Sequence, residues 1–252
     1  MLPIGDENER GHGPAVISLA FIGLNVAVFL LLQGAGGPSG AEFTYGYSAV
    51  PYEITNGVDL VEPQPITIDG TEEVIPQEPG PSPIWLTLLT SMFMHGGWLH
   101  IAGNLLFLWI FGDNVEHRIG HVPYAVFYIV AGLVASFAQI LVNTGSYIPT
   151  LGASGAISGV LGAYLVMFPT NRVTVLMLRF PMQVPAIVAI GLWAVLQFVS
   201  GFAEFDTAGE GGGVAYMAHI GGFVAGVVAG LFFRAVFREP RRPRGAPASA
   251  YG

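Results

Sequence analysis

The amino-acid sequence predicts an all-α polytopic membrane protein with six transmembrane helices. The first observation is composition, because 52% of the 252 residues are hydrophobic and only 10% are charged. A soluble domain carries roughly a quarter charged residues. The second observation is a set of six apolar segments, each close to the roughly 20 residues that cross a bilayer as a helix. The third is the distribution of arginine, which fits an even number of crossings.

The six predicted spans lie at residues 14–33, 97–112, 122–142, 153–168, 184–202 and 215–237. The first span is longer than the apolar part of a signal peptide, and Arg10 is the only arginine or lysine before it. The fourth span is short and ends at Pro169, which suits a helix that begins below the membrane surface. Segment 34–84 contains eight prolines and eight acidic residues, which predicts an extramembrane loop of irregular structure.

The nine arginines give the predicted orientation, and the chain has no lysine. A cytoplasmic N-terminus places all nine on the cytoplasmic side of six spans, as the positive-inside rule requires. The opposite side then carries only acidic charges. The sequence thus predicts a cytoplasmic tail at 1–13, a six-helix domain at 14–237 and a basic cytoplasmic tail at 238–252. The compact architecture without a transit segment predicts a prokaryotic plasma membrane.

Three polar clusters fall at the outer ends of predicted spans. They are "HGGWLHIAGN" at 95–104, "GASG" at 152–155 and "AHIGG" at 218–222. Polar groups inside a membrane are costly, so each is a candidate for function. The topology places these distant segments at one membrane depth.

Glycines form one face on the fourth span and one on the sixth. The spacing of three or four residues lets such helices approach closely. These glycines are Gly152, Gly155, Gly159 and Gly162 in the fourth span, and Gly222, Gly226 and Gly230 in the sixth. If the two faces pack together, Ser154 and His219 come within the roughly 2.6–3.2 Å that a nucleophile and its base require. A single buried histidine could equally serve helix packing alone.

Ser154 and His219 have the residue types of a nucleophile and its general base, because neutral imidazole suits proton abstraction from a hydroxyl. No carboxylate falls inside the predicted helices to orient the histidine, so we predict a dyad without an acid. His100 and Asn104 are spaced i, i+4 on one helical face and can both donate to an oxyanion. The backbone N–H of Ser154, at a helix start, is a third candidate donor.

Zinc is the competing use of the histidines at positions 95, 100 and 219. Helical zinc pairs are spaced i, i+4 with a glutamate between them, whereas His95 and His100 are five apart without one. Cysteine is absent, which excludes disulfides and thiolate ligands. We therefore expect no metal and no cofactor, and we interpret His95 as a structural hydrogen bonder at the junction of loop and helix.

These clusters, together with "GDNVEHRIG" after the second span and "AHIGGFVAG" in the sixth, resemble the rhomboid family of intramembrane serine proteases. The resemblance covers most of 85–235. It implies that Ser154 is the nucleophile and His219 its base, with His100 and Asn104 in the oxyanion hole and Gly152, Gly155 and Gly222 supporting them. It further implies a bracing ion pair between Glu116 and Arg118.

The resemblance also implies that the fifth helix, with Trp193 and Phe198, is a mobile gate for substrate. Large aromatic residues there are equally expected for packing against lipid. One departure is Ser158, where some family members carry an aromatic residue that stacks on the catalytic histidine. The orientation of His219 is then expected to depend on packing alone or on a hydrogen bond from Ser158.

The expected function is cleavage of membrane-anchored proteins near the outer face, with transmembrane proteins and the lipid bilayer as partners and no nucleic acid. A catalytically silent rhomboid-like protein that binds transmembrane helices is the alternative. A transporter or channel that uses the histidines for protons is a third reading, but it predicts an internal repeat that the sequence lacks. The natural substrate and the oligomeric state stay open.

Overall fold

The structure, a computed structural model, describes residues 2–8, 13–68, 70–206 and 215–237, so the predicted basic tail at 238–252 lies outside it. The helices are α1 Val16–Ala27, α2 Ala41–Tyr47, α3 Pro51–Asn56, α4 Thr87–Thr90, α5 Trp98–Ile119, α6 His121–Val142, α7 Ser154–Met167, α8 Ala186–Asp206 and α9 Tyr216–Val236. The strands are β1 Leu2–Asp6, β2 Gln64–Ile68, β3 Thr71–Ile75, β4 Arg172–Met177 and β5 Phe180–Pro185. Short 3-10 turns precede α2 and flank α4, and α1 continues as π-helix Val28–Leu32.

Each of the six predicted apolar segments contains a helix, namely α1, α5, α6, α7, α8 and α9. Within the described ranges, α6 and α9 are long and apolar enough to cross a membrane, with mean hydropathies of 2.2 and 1.7. Shorter apolar helical stretches lie at Val16–Leu32, Ile84–Phe93, Ser154–Met167 and Ala186–Gly201. The mainly helical fold is therefore confirmed, and the count of six crossings stays a prediction.

Helix α7 is the centre of the helical bundle. Every residue from Gly155 to Tyr164 is buried, and the helix packs against α5, α6 and α9. Its sequence explains this position, because small and apolar residues cover all of its sides and a helix that is apolar all round is stable only when it is surrounded. The start of α7 is thus held from three directions.

Glycines bring α7 and α9 together almost backbone to backbone. A Cβ added at Gly222 would lie 2.0 Å from the carbonyl oxygen of Gly155, and one added at Gly226 would lie 1.9 Å from that of Gly159. Neither position leaves room for a side chain. The packing predicted from the glycine spacing is confirmed, and it follows the close approach that small residues permit.

A three-stranded antiparallel sheet of order β1-β4-β5 adds to the mainly helical fold, and its first strand lies within the predicted tail at 1–13. Leu2 pairs with Leu176 and Asp6 with Val173. Val173 and Val175 alternate toward the helices and are fully buried, as one face of a strand requires. The sheet places the N-terminal segment beside the connection between α7 and α8.

Segment 34–84 also has regular structure, so the prediction of an irregular loop is wrong. It contains α2, α3 and an antiparallel hairpin of β2 and β3, with Gln64 opposite Ile75. Gly70, with φ of +75°, lies in the turn, and β-branched residues in both strands favour the extended backbone. An isolated bridge between Ala49 and Thr150 joins this segment to the connection between α6 and α7.

Candidate active site

Ser154 is the first residue of α7, and the two residues before it fix where its hydroxyl lies. Gly152 has φ of +137°, a backbone conformation that L side chains rarely adopt, and its N–H donates to the carbonyl oxygen of Ser91 at 2.9 Å. A Cβ at Gly152 would lie 3.0 Å from Nε2 of His100 and 3.4 Å from Oγ of Ser154. The imidazole edge of His100 and the hydroxyl of Ser154 therefore flank one small space, which glycine keeps open.

The glycine contact between α7 and α9 brings the part of α9 that carries His219 close to the start of α7. The position of a Cβ on Gly155, the residue after Ser154, lies 3.8 Å from Cβ of Ala218, the residue before His219. Among the described residues, no hydrogen bond joins Oγ of Ser154 to His219. Such catalytic hydrogen bonds are often long in enzymes without substrate and tighten in the complex.

Gln197 of α8 contacts the imidazole of His219 from the neighbouring helix. Nδ1 of His219 lies 2.6 Å from Oε1 of Gln197. Because an amide oxygen only accepts hydrogen bonds, Nδ1 carries the proton in neutral His219 and Nε2 keeps its lone pair. The ring of Trp193, also on α8, is 6.1 Å from that of His219 between centroids. The histidine is thus held in the tautomer that a general base needs.

Ser158 does not orient His219, which excludes one of the two predicted possibilities. Its hydroxyl donates to the backbone carbonyl of Ser154 at 2.6 Å, one turn back along α7. Serine hydroxyls in helices commonly bond the carbonyl four residues earlier. Packing alone does not explain the orientation of His219 either, since Gln197 makes a hydrogen bond with its imidazole.

His100 and Asn104 lie on one face of α5, as their spacing predicts. Nδ1 of His100 accepts from the backbone N–H of Gly96 at 3.2 Å, so neutral His100 carries its proton on Nε2, the atom beside Gly152 and Ser154. Asn104 donates one N–H to the carbonyl oxygen of His100 at 3.0 Å. Its amide has a second N–H, so both side chains have a donor available for an oxyanion.

A cavity of about 30 Å³ adjoins Ser154. Polar side chains from three parts of the chain line it, among them Ser91, Ser136, Gln139 and Thr150. A cavity of this volume with polar side chains on its wall is large enough to hold water. Ser154 therefore has space for a water molecule beside it.

The prediction for His95 needs correction. Its backbone, not its side chain, makes the structural hydrogen bonds: the N–H donates to Oε1 of Gln33 at 2.8 Å, and the carbonyl accepts from Nε2 of Gln33 at 3.1 Å. The imidazole is buried, packs edge-on against His100 with centroids 5.1 Å apart, and has no hydrogen-bond partner for either nitrogen in the described structure. Hydrogen bonds of the His95 backbone could not be predicted from its residue type, because every residue except proline has the same backbone groups.

Glu116 and Arg118 do not form the predicted ion pair. The carboxylate of Glu116 is fully buried and accepts from the N–H groups of Ile17 and Ser18 at the start of α1, each at 2.8 Å. The guanidinium of Arg118 lies 4.5 Å from the ring centroid of Phe168. The physical reason is spacing, because residues i and i+2 of a helix point to different sides.

Gln197 was missed by the sequence analysis, although a signal for it existed. It is the only amide in the predicted span 184–202, and a polar group in an apolar helix indicates function. The described part of the chain has no group of three or more His, Cys, Asp or Glu side chains that could hold a metal ion.

Comparison with known proteins identifies the family of the chain. The model of the Rhomboid domain family matches residues 83–236. The rhomboid protease GluP of Bacillus subtilis is 29% identical over 220 residues, which cover 87% of this chain and 36% of GluP. The human presenilin-associated rhomboid-like protein, which is mitochondrial, is 32% identical over 56% of this chain and 36% of its own length. The mitochondrial rhomboid protein 1 of Saccharomyces cerevisiae is 28% identical over 63% of this chain and 45% of its own length.

The chain thus spans between about a third and a half of the length of these relatives. One of these relatives is bacterial and two are mitochondrial. The comparison therefore does not support the predicted location in a prokaryotic plasma membrane. The family match covers more than half of the chain and contains Ser154, His219, His100 and Asn104. The protein belongs to the rhomboid family, whose members are embedded in membranes.

Proposed function

We propose that the protein is an intramembrane serine endopeptidase in which Ser154 is the nucleophile and His219 the general base. The observation that carries the proposal is the 2.6 Å contact between Nδ1 of His219 and Oε1 of Gln197, which leaves Nε2 able to take a proton. The close contact of α7 and α9 beside Ser154, and a relative named as a protease, support it.

The proposed reaction begins with attack of Oγ of Ser154 on the carbonyl carbon of the scissile peptide, while its proton moves to Nε2 of His219. The oxyanion accepts hydrogen bonds from Nε2–H of His100, Nδ2–H of Asn104 and the backbone N–H of Ser154. The C–N bond then breaks, and His219 returns the proton to the leaving amine. Water, deprotonated by His219, releases the acyl group as a carboxylic acid and restores Ser154.

We further propose that α1, α5, α6, α7, α8 and α9 each cross the bilayer, with both chain ends in the cytoplasm. Two pairings across the fold support an alternating topology. The sheet joins β1 to the connection after α7, and the bridge from Ala49 to Thr150 joins the segment after α1 to the connection before α7. Substrates in this proposal are single transmembrane segments, which must become extended near the outer face for their peptide bond to reach Ser154.

The test uses purified protein in liposomes with a model single-span substrate and identifies both fragments by mass spectrometry. Wild type should cleave, Ser154→Ala and His219→Ala should not, and Ser39→Ala, at an exposed serine, should match wild type. Cleavage that persists in Ser154→Ala would contradict the mechanism. A folded wild type that cleaves no substrate and does not react with a fluorophosphonate probe would favour a silent, helix-binding protein.

A further inference from the structure

We propose that Gln197 is the positioning residue of His219, and that α8 thereby controls whether the base is competent. This inference rests on the proposed function, in which His219 is the base. Gln197 touches neither Ser154 nor the oxyanion donors in the described contacts. Its effect on catalysis is therefore exerted through the imidazole of His219.

The first argument is that the imidazole needs a fixed tautomer. A neutral histidine exchanges its proton between Nδ1 and Nε2, and only the Nδ1–H form leaves Nε2 free to accept from a serine hydroxyl. In serine proteases with a triad, a carboxylate fixes this form. Here the Oε1 atom of Gln197, at 2.6 Å from Nδ1, has the same geometric function without a charge.

The second argument is that the other groups around His219 are engaged elsewhere or are aromatic. The hydroxyl of Ser158 bonds the carbonyl of Ser154, and Oε1 of Gln139 accepts from the N–H of Ala218 at 3.1 Å. Trp193 and Tyr216 present rings to His219, with centroids 6.1 and 6.4 Å away. Among the described residues, Gln197 makes the only side-chain hydrogen bond to the imidazole of His219.

The third argument concerns the helix that carries the amide. Gln197 and Trp193 are spaced i, i+4 on α8, so one face of α8 supplies both contacts to a histidine on α9. The opposite side of α8 is exposed, with Val195 at 57% and Val199 at 63% of full accessibility. Any displacement of α8 away from α9 removes the amide and the indole from His219 together. Close packing of α8 thus becomes a condition for a competent base.

The experiment compares Gln197→Leu, which keeps similar volume without an acceptor, with Gln197→Glu, which keeps an acceptor oxygen. Leu196→Ala, an exposed change next to Gln197 on α8, is the matched control. We expect Gln197→Leu to lower kcat at least about tenfold with KM nearly unchanged, since loss of the correct tautomer acts on the chemical step. Gln197→Glu should retain activity near that of wild type, and Leu196→Ala should match wild type.

A second readout does not depend on activity. In protein with ¹⁵N-labelled histidine, the resonance of His219, assigned by its loss in His219→Ala, should show protonation at Nδ1 in wild type and a mixture of tautomers in Gln197→Leu. An unchanged kcat and tautomer in Gln197→Leu would overturn the inference, and so would equal losses in the leucine and glutamate variants. If wild type cleaves nothing, the proposed function fails, whereas the ¹⁵N spectra still decide the role of Gln197.

Discussion

The carbonyl oxygen of Gly155 on α7 occupies the space that a side chain at Gly222 on α9 would need, at 2.0 Å from an added Cβ. Gly155 is the residue after Ser154, and Gly222 follows His219 by three residues. The contact that joins the two helices therefore also sets the distance between the two candidate catalytic groups. Catalysis and helix packing consequently respond to the same substitutions.

Gly222→Ala should therefore destabilise the protein and lower its activity. Overpacking of a tight contact costs about 1–3 kcal/mol, and any separation of α7 and α9 also moves His219 away from Ser154. Gly191→Ala is the matched control, because a Cβ on this α8 glycine meets nothing within 4 Å. Thermal unfolding in detergent and substrate cleavage measure the two effects, and equal behaviour of both variants would contradict the packing argument.

His100→Phe should lower kcat by about 10²–10³-fold, the usual effect of losing one oxyanion donor. The phenyl ring fills a similar space but has no N–H to replace Nε2–H beside Ser154. Leu99→Ala, at a side chain with 92% exposure on the same helix, should leave kcat as in wild type. Steady-state cleavage of the model substrate measures this difference, and a change confined to KM would argue against a donor role.

Glu116→Gln should lower the free energy of unfolding by about 1–3 kcal/mol, because a backbone donor at the start of α1 loses its charged acceptor in a buried place. The carboxylate accepts from two N–H groups and from the hydroxyl of Ser18 at 2.8 Å. Glu72→Gln, at an exposed residue of β3, serves as the control and should change little. Unfolding in denaturant measures both variants. Equal midpoint concentrations of denaturant would show that the hydrogen bonds of Glu116 to the start of α1 do not stabilise the fold.

Asp6 should make stability depend on pH. Burial raises its pKa to about 6, with Asp113 and Glu7 adding to the rise and hydrogen bonds from Tyr164 and Asn114 opposing it. Because the folded state binds this proton more tightly than the unfolded chain, the stabilising contribution is full below about pH 4 and is lost as the pH rises through about 6.

The measurement for Asp6 is the melting temperature of wild type relative to that of Asp6→Asn at pH 4.5 and at pH 7.5. Wild type should lose stability relative to the variant between these values, since asparagine has no proton to release. The comparison of two proteins cancels the titration of groups that do not interact with Asp6. A constant difference would mean that Asp6 titrates in the folded protein as it does in the unfolded chain.

Local spacing in the sequence was sufficient for the helices and for much of the site. The glycine intervals predicted which faces of α7 and α9 meet, and the i, i+4 spacing of His100 and Asn104 placed both on one face of α5. These inferences succeed because a helix repeats every 3.6 residues, so the geometry is contained in a few neighbouring positions.

Features that depend on a distant partner could not be read in the same way. The alternation of Val173 and Val175 is a strand pattern, but nothing near it indicates that Leu2–Asp6 is the partner. The amide of Gln197 is visible in an apolar span, whereas its contact with His219 requires the packing of α8 on α9. For Glu116, the family resemblance implied an ion pair with Arg118, which helical geometry separates.

The pairing of β1 with β4 has a consequence for the order of folding. β1 precedes every described helix, and its partner follows α7, so the contact joins segments that are very distant along the chain. Contacts of this kind form late, because the intervening chain must first be ordered. β1 therefore stays unpaired until the four apolar helices α1, α5, α6 and α7 are in place, and until then β4 has an unprotected edge that can pair with other chains.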